Sequence, residues 1–199
     1  VVLILASIVV AIVLICTGYG APAGATWLSI LGTFLVAVVV GTVGNTLSYF
    51  TGCVINFIFT GEWDFSWYEL GAAALCGFGG AALTFALTPF ITPYFAALVS
   101  AAVFSGLETI IGKTGNNLFE GGDMTLGEIF GLALQNMIIS TTIAAINPFN
   151  FNSTEIIIPN DPTKFLSESV KTALGGLTDF LFKTRITFDL AINDKLMEF

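Results

Sequence analysis

Two short phrases gather four of the seven carboxylates in the first three quarters of this chain. Residues 64–70 read DFSWYEL and residues 123–129 read DMTLGEI. Each sets an Asp, a hydroxyl and a Glu close together, so each offers two carboxylates beside an alcohol. Paired carboxylates can do general acid–base work when substrate and further polar groups converge on them. Nothing else in the sequence converges here, and a simpler chemistry fits the spacing. Ser66 with Glu69, and Thr125 with Glu128, stand in the S/T-x-x-E relation of a capping box. In that box the hydroxyl accepts from the N3 backbone N–H and the Glu reaches back to the N-cap N–H. Phe65 with Leu70, and Met124 with Ile129, supply the hydrophobic staple. Asp64 and Asp123 place negative charge where a helix N-terminus favours it. The phrase is read as a helix start used twice.

Other chemistry is scarce. The chain has no His and three Cys. Cys16, Cys53 and Cys76 sit in apolar runs without CxxC spacing, so they read as small buried hydrophobes rather than zinc ligands. GKTGNN (112–117) lacks the G-x-x-x-x-G-K-[ST] spacing of a phosphate loop and does not follow a strand; it reads as an interhelical turn. No catalytic residue, cofactor site or metal site is assigned, and the chain is expected not to be an enzyme.

The elements that carry the two phrases follow from hydropathy and turn chemistry. Residues 1–16 are continuously apolar, a helix or the tail of a longer span, with a signal-peptide core as the rival reading. The Gly/Pro cluster in 17–26 reads as a turn. Residues 27–59 are too long for one span, so helices near 27–43 and 45–60 are expected, with Gly41, Gly44 and Asn45 marking a break or a close-packing point. From Ser66 a helix should run to about Leu87. In it Ala73, Gly77 and Ala81 share one face, and Ala72, Cys76 and Gly80 another, a spacing that permits close helix–helix approach. Thr92–Pro93 fits an N-cap followed by Pro at N1, opening a return helix over about 93–111. Acidic loops at 62–69 and 113–124 would form the base of this uncharged hairpin. The second phrase opens a helix near 126–146, whose Gln135 and Asn136 suggest an amphipathic packing helix. Residues 147–161 read as a linker with one short strand, EIII. A helix over 162–174 should stop at Gly175–Gly176, and residues 177–199 are of soluble, mixed-charge type.

The organisation is therefore hydrophobic helices in 1–60, a capped hairpin with a third helix in 61–146, a linker in 147–161 and a soluble-type helical segment in 162–199. The predicted fold is all-α: a bundle of hydrophobic helices around a central uncharged helical hairpin, associated with a membrane.

Composition points the same way. Hydrophobic residues make up 55% and charged residues 10%, against about 25% charged in an ordinary soluble domain. Mean hydropathy is +0.91. Residues 1–61 and 70–107 carry no charge, and five of the six Lys and Arg residues fall in 164–199. A net charge of −8 with so few basic groups argues against nucleic acid as a partner, because phosphate neutralisation needs Lys and Arg clusters. It also argues against anchoring by a polybasic patch. The expected partner is a lipid bilayer, with other segments of a longer parent protein and self-association as further possibilities. The first residue is Val rather than Met, which fits a piece of a longer protein.

VVAIVLICTGYGAPAGATWLSILGTFLVAVVVGTVGN, followed by G-x-W-D-F-S-W-x-E-L and a Gly/Ala-rich helix, resembles the hydrophobic middle region of bacterial polymorphic toxins with LXG-type or Rhs-type leaders. The resemblance covers roughly 5–146 and is compositional. It implies a secreted protein whose apolar, glycine-rich region helps a toxin reach or cross a membrane. Two departures stand out: this chain is richer in Phe, Ile and Val than the family pattern, and its C-terminal segment carries no recognisable toxin motif.

Three functions are then expected, in order. The first is a membrane-inserting helical module, the translocation region of a secreted toxin, in which protonation of Glu62, Asp64, Glu69, Glu120 and Asp123 eases transfer of the acidic loops. The second is a constitutive multi-span membrane protein, a carrier or assembly subunit. A carrier should hold a functional intramembrane charge; Glu108 is the only candidate and reads as a solvated helix end. The third is a soluble helical domain that sheathes its own apolar hairpin behind 126–146, 162–174 and 178–196.

Overall fold

A computed structural model describes residues 9, 27–151 and 162–197, with side chains described for 9, 30–149 and 169–193. The expectations for the first apolar helix, the 17–26 turn and the EIII strand lie outside the described residues. Among the described residues the fold is all-helical. α1 spans Trp27–Thr60, α2 Trp67–Leu87, α3 Pro93–Phe119, α4 Leu126–Ile146, α5 Pro148–Phe151 and α6 Pro162–Met197. α1 to α4 are each long and apolar enough to cross a membrane. Short loops turn each into its neighbour, so α1 packs on α2, α2 on α3 and α3 on α4, while α6 packs back along α1. The result is a helical bundle, the arrangement that short connections between long helices favour.

α1 is one helix of 34 residues, not two. At 1.5 Å per residue it is about 50 Å long, well beyond the roughly 30 Å of a hydrocarbon core. Gly41 does not break it because its backbone hydrogen bonds continue, and the missing side chain serves contact instead. A methyl group built on Gly41 would lie 2.7 Å from the Gly77 carbonyl oxygen and 3.2 Å from Ala81 Cβ. The two backbones touch, as small residues allow in lipid, where packing rather than the hydrophobic effect joins helices. Toward one end of this seam Ile30, Phe34, Val38, Ala82 and Phe85 form a core cluster, with Phe34 and Phe85 edge to face at 5.4 Å between ring centres.

The Gly/Ala faces of α2 divide between two partners. Gly77 and Ala81 meet α1, whereas Gly79 and Gly80 lie against Phe104 of α3. Ala73 is fully buried. α3 does not end near residue 111 but runs to Phe119, so GKTGNN is helix rather than turn. Four contacts with α2 hold this added length. Lys113 Nζ and Asn116 Nδ2 donate to Glu69 Oε1 at 2.9 and 2.8 Å, and Gly112 and Gly115 leave room for Glu69 and Tyr68. The helix stops at Glu120, where Gly121 takes φ +84°, a left-handed geometry that suits glycine. The base of the hairpin is thus narrower than expected, comprising residues 61–66 and 120–125.

α4 begins and ends where expected but is not a polar sheath. Phe130, Leu134 and Ile138 all point outward, while Asn136 donates to Thr109 Oγ1 at 2.8 Å and Ser140 is buried. Residues 148–151 form a short helix within the expected linker. α6 does not stop at Gly175–Gly176. It continues to Met197: Gly175 packs beside Phe149, and the Val40 side chain occupies the space a Cβ on Gly176 would need.

Candidate functional site

Both capping phrases start helices. Thr125 and Glu128 form the complete box: Glu128 N–H donates to Thr125 Oγ1 at 3.3 Å, and Glu128 Oε2 accepts from Thr125 N–H at 2.7 Å. Ser66 makes half of one. Its Oγ accepts from Glu69 N–H at 3.2 Å, but Glu69 turns away to Lys113 and Asn116. Tyr49 of α1 replaces it, its hydroxyl accepting from Ser66 N–H at 2.6 Å and donating to Ser66 C=O at 3.1 Å. Glu120 adds a bond across the base, its Oε1 accepting from Trp67 N–H at 3.1 Å. Asp64 and Asp123 are exposed. The phrases are structural, and they tie α1, α2 and α3 together at one end.

That end also carries an aromatic cluster. Trp63 packs on Phe50, Phe57 and Phe65, with ring centres 6.0, 5.8 and 6.5 Å apart. Tyr68 stacks on Phe119 at 4.9 Å. Trp63, Trp67 and Tyr68 remain exposed, the placement amphipathic rings take at a membrane–water boundary.

The chemistry that sequence reasoning missed lies inside the bundle. A cavity of about 680 Å³ opens between the helices and is lined by residues of α1 to α6. Asn45 and Glu108 stand on its wall, each near the middle of a long helix rather than at an end. Asn45 Nδ2 donates to Glu108 Oε2 at 3.1 Å. Lys183 of α6 donates from Nζ to Asn45 Oδ1, also at 3.1 Å. The amide thus stands between an ammonium and a carboxylate and uses one group toward each. Glu108 is not a solvated helix terminus: α3 extends past it by three turns, and this places it in the interior.

A second polar knot closes the cavity near α5. Asn147 is fully buried. Its Nδ2 donates to Asp179 Oδ1 at 2.7 Å and to Gly175 C=O at 3.1 Å, while its Oδ1 accepts from Phe149 N–H at 3.0 Å. Burial pushes the Asp179 carboxyl above its ordinary range, and the Asn147 bond and the Lys183 charge pull it back. α6 is not among the span-length apolar helices, yet it delivers Asp179 and Lys183 to a cavity walled by them.

Cys53 and Cys76 are buried free thiols. Among the described residues no three His, Cys, Asp or Glu side chains cluster as a metal site would require. The only signals for the interior site were Asn45, which reads as part of a helix break, and Glu108, which reads as a helix end. Lys183 and Asp179 stand in a segment of soluble composition and gave none. Comparison with family models, curated proteins and solved structures finds no match for this chain.

Proposed function

We propose that the chain is a multi-span integral membrane protein of carrier type, whose apolar helices enclose a polar interior site. The observation that carries this reading is Glu108. It is a carboxylate in the middle of a span-length helix, bonded to an amide that is bonded in turn to a lysine. Charge within a membrane is costly and usually marks a solute or ion path. Exposed Leu35, Val39, Leu134 and Ile138 on the outer faces suit lipid, and the aromatic and acidic end suits the boundary with water. Carbonate extraction tests membrane residence. In a background lacking the three native Cys, single cysteines at positions 64 and 123 should label from one side and a cysteine at position 91 from the other. Recovery in the soluble fraction, or labelling of all three positions from one side, removes this reading.

A second reading keeps one specific observation in its favour. In a membrane-inserting module, such as the translocation region of a secreted toxin, low pH would have to loosen the hairpin base. Glu69 and Glu120 hold that base through bonds that need their carboxylates. Glu62, Asp64 and Asp123 are exposed beside them. Liposome association that does not change between about pH 4, where ordinary carboxyl groups are roughly half protonated, and pH 7, where they are ionised, counts against it.

A further inference from the structure

We propose that the interior cavity binds a small zwitterion with an apolar or aromatic tail, a solute of the amino-acid class. The proposal rests on the interior-site reading above and names what the site takes. Three observations select this chemistry. The first is charge balance. Glu108 and Asp179 bring two carboxylates to the lining, and Lys171 and Lys183 bring two ammonium groups. A site with no net formal charge, in surroundings of low dielectric, favours a ligand with no net charge, because an unbalanced ion is costly to desolvate there.

The second is how two of those charges are held. Glu108 and Lys183 sit at opposite ends of the Asn45 relay and are separated by the amide. A ligand ammonium would meet Glu108 and a ligand carboxylate would meet Lys183, each as a charge-assisted hydrogen bond. Neither a plain cation nor a plain anion satisfies both ends.

The third is the rest of the wall. Ser100 is 4% exposed, lines the cavity, and its Oγ finds no hydrogen-bond partner among the described residues. It lies eight residues before Glu108 on α3, about 12 Å along the helix, so this hydroxyl marks polar room in the cavity beyond the two ligand charges. Phe85, Phe104, Phe149 and Phe180 supply the apolar part of the wall. The volume falls within the range of small-molecule sites, about 300–1,000 Å³.

The test uses the full chain in mild detergent, titrated with three probes of one shape: L-phenylalanine, 3-phenylpropionate and 2-phenylethylamine. The zwitterion is expected to bind, and each singly charged analogue to bind at least tenfold more weakly. Glu108→Gln should weaken the zwitterion and the amine but not the acid. Lys183→Gln should weaken the zwitterion and the acid but not the amine. The comparison of the three probes on the unaltered chain keeps the test valid if a charge variant unfolds. Binding of none of the probes, or equal binding of the zwitterion and either analogue, overturns the proposal. Carbonate extraction separates the two readings: an integrated chain that ignores all three probes refutes the ligand alone, and a soluble chain that binds the zwitterion refutes only the membrane.

Discussion

Replacing Gly77 with Ala should separate α1 from α2, although alanine is the better helix former. A methyl group at that position meets Gly41 C at 2.8 Å and Thr42 Cα at 2.9 Å, as well as the Gly41 carbonyl oxygen. All of these are backbone atoms of a facing helix, so no side chain can swing aside. Overpacking of this kind costs about 1–3 kcal/mol, and rigid backbone on the far side puts Gly77 at the upper end. Helix propensity returns about 1 kcal/mol. The net loss is then roughly 2 kcal/mol, about thirtyfold in the unfolding equilibrium. Gly52→Ala and Gly71→Ala are the controls, because nothing lies within 4 Å of a methyl group at either helical position. They should gain up to about 1 kcal/mol from propensity alone. Reversible unfolding in mixed micelles, followed by tryptophan fluorescence, reads all three. Gly41→Ala should resemble Gly77→Ala, and the double variant should lose less than the sum of the two, since one helix displacement relieves both clashes. Equal stability of Gly77→Ala and Gly52→Ala would refute the contact between the two backbones.

The remaining predictions concern the two ends of the bundle. Glu69→Gln loses the carboxylate that pairs with Lys113 and should cost about 1–3 kcal/mol; a double-mutant cycle with Lys113→Met should show coupling, and strict additivity would count against the bond. Thr125→Ala removes a complete capping box and should destabilise by about 1 kcal/mol, measured by the same unfolding assay, with Ser and Asp restoring most of it. Asn147→Leu leaves Asp179 without its amide partner and should be strongly destabilising. The raised carboxyl of Asp179 sets the sign of its pH dependence. A folded-state pKa above the unfolded one means the folded chain binds the proton more tightly, so stability falls as pH rises through the interval between the two. Asn147→Leu removes the bond that pulls this value down, so the fall should extend to higher pH, and Asp179→Asn should abolish it.

Much of the helical framework is legible from residues alone. Ser66, Thr92 and Thr125 are true N-caps, and each could be found because capping is a local interaction within four residues. The starts of α2, α3 and α4 follow from it. What fails is any judgement that depends on a neighbour distant in sequence. Gly41 reads as a break until Gly77 stands opposite. Lys113 reads as a solvated turn until Glu69, 44 positions earlier, supplies its partner. Gly175–Gly176 reads as a stop until Val40 and Phe149 occupy the space left open. In each case glycine or charge, which usually signals a loop, is kept in a helix by tertiary contact.

The interior site shows the same limit at larger scale, and it reverses the weight given to composition. The two uncharged blocks argued that no carrier-type charge lay within the membrane part of the chain, because charge was counted along each apolar segment. Counted in space, the outcome differs. α6, the segment with soluble composition, lies against α1 and sends Lys183 and Asp179 inward. Without α6, Asn45 and Glu108 would still bond to each other, but the amide oxygen of Asn45 would lose its ammonium donor and the notch would open to the outside of the bundle. With it, the carboxylate, the amide and the ammonium form one connected relay. The low hydropathy of α6 is then explained by its position. A helix that closes a polar cavity needs apolar contact with α1 on one side and polar side chains on another, and the average of the two looks like an ordinary soluble helix.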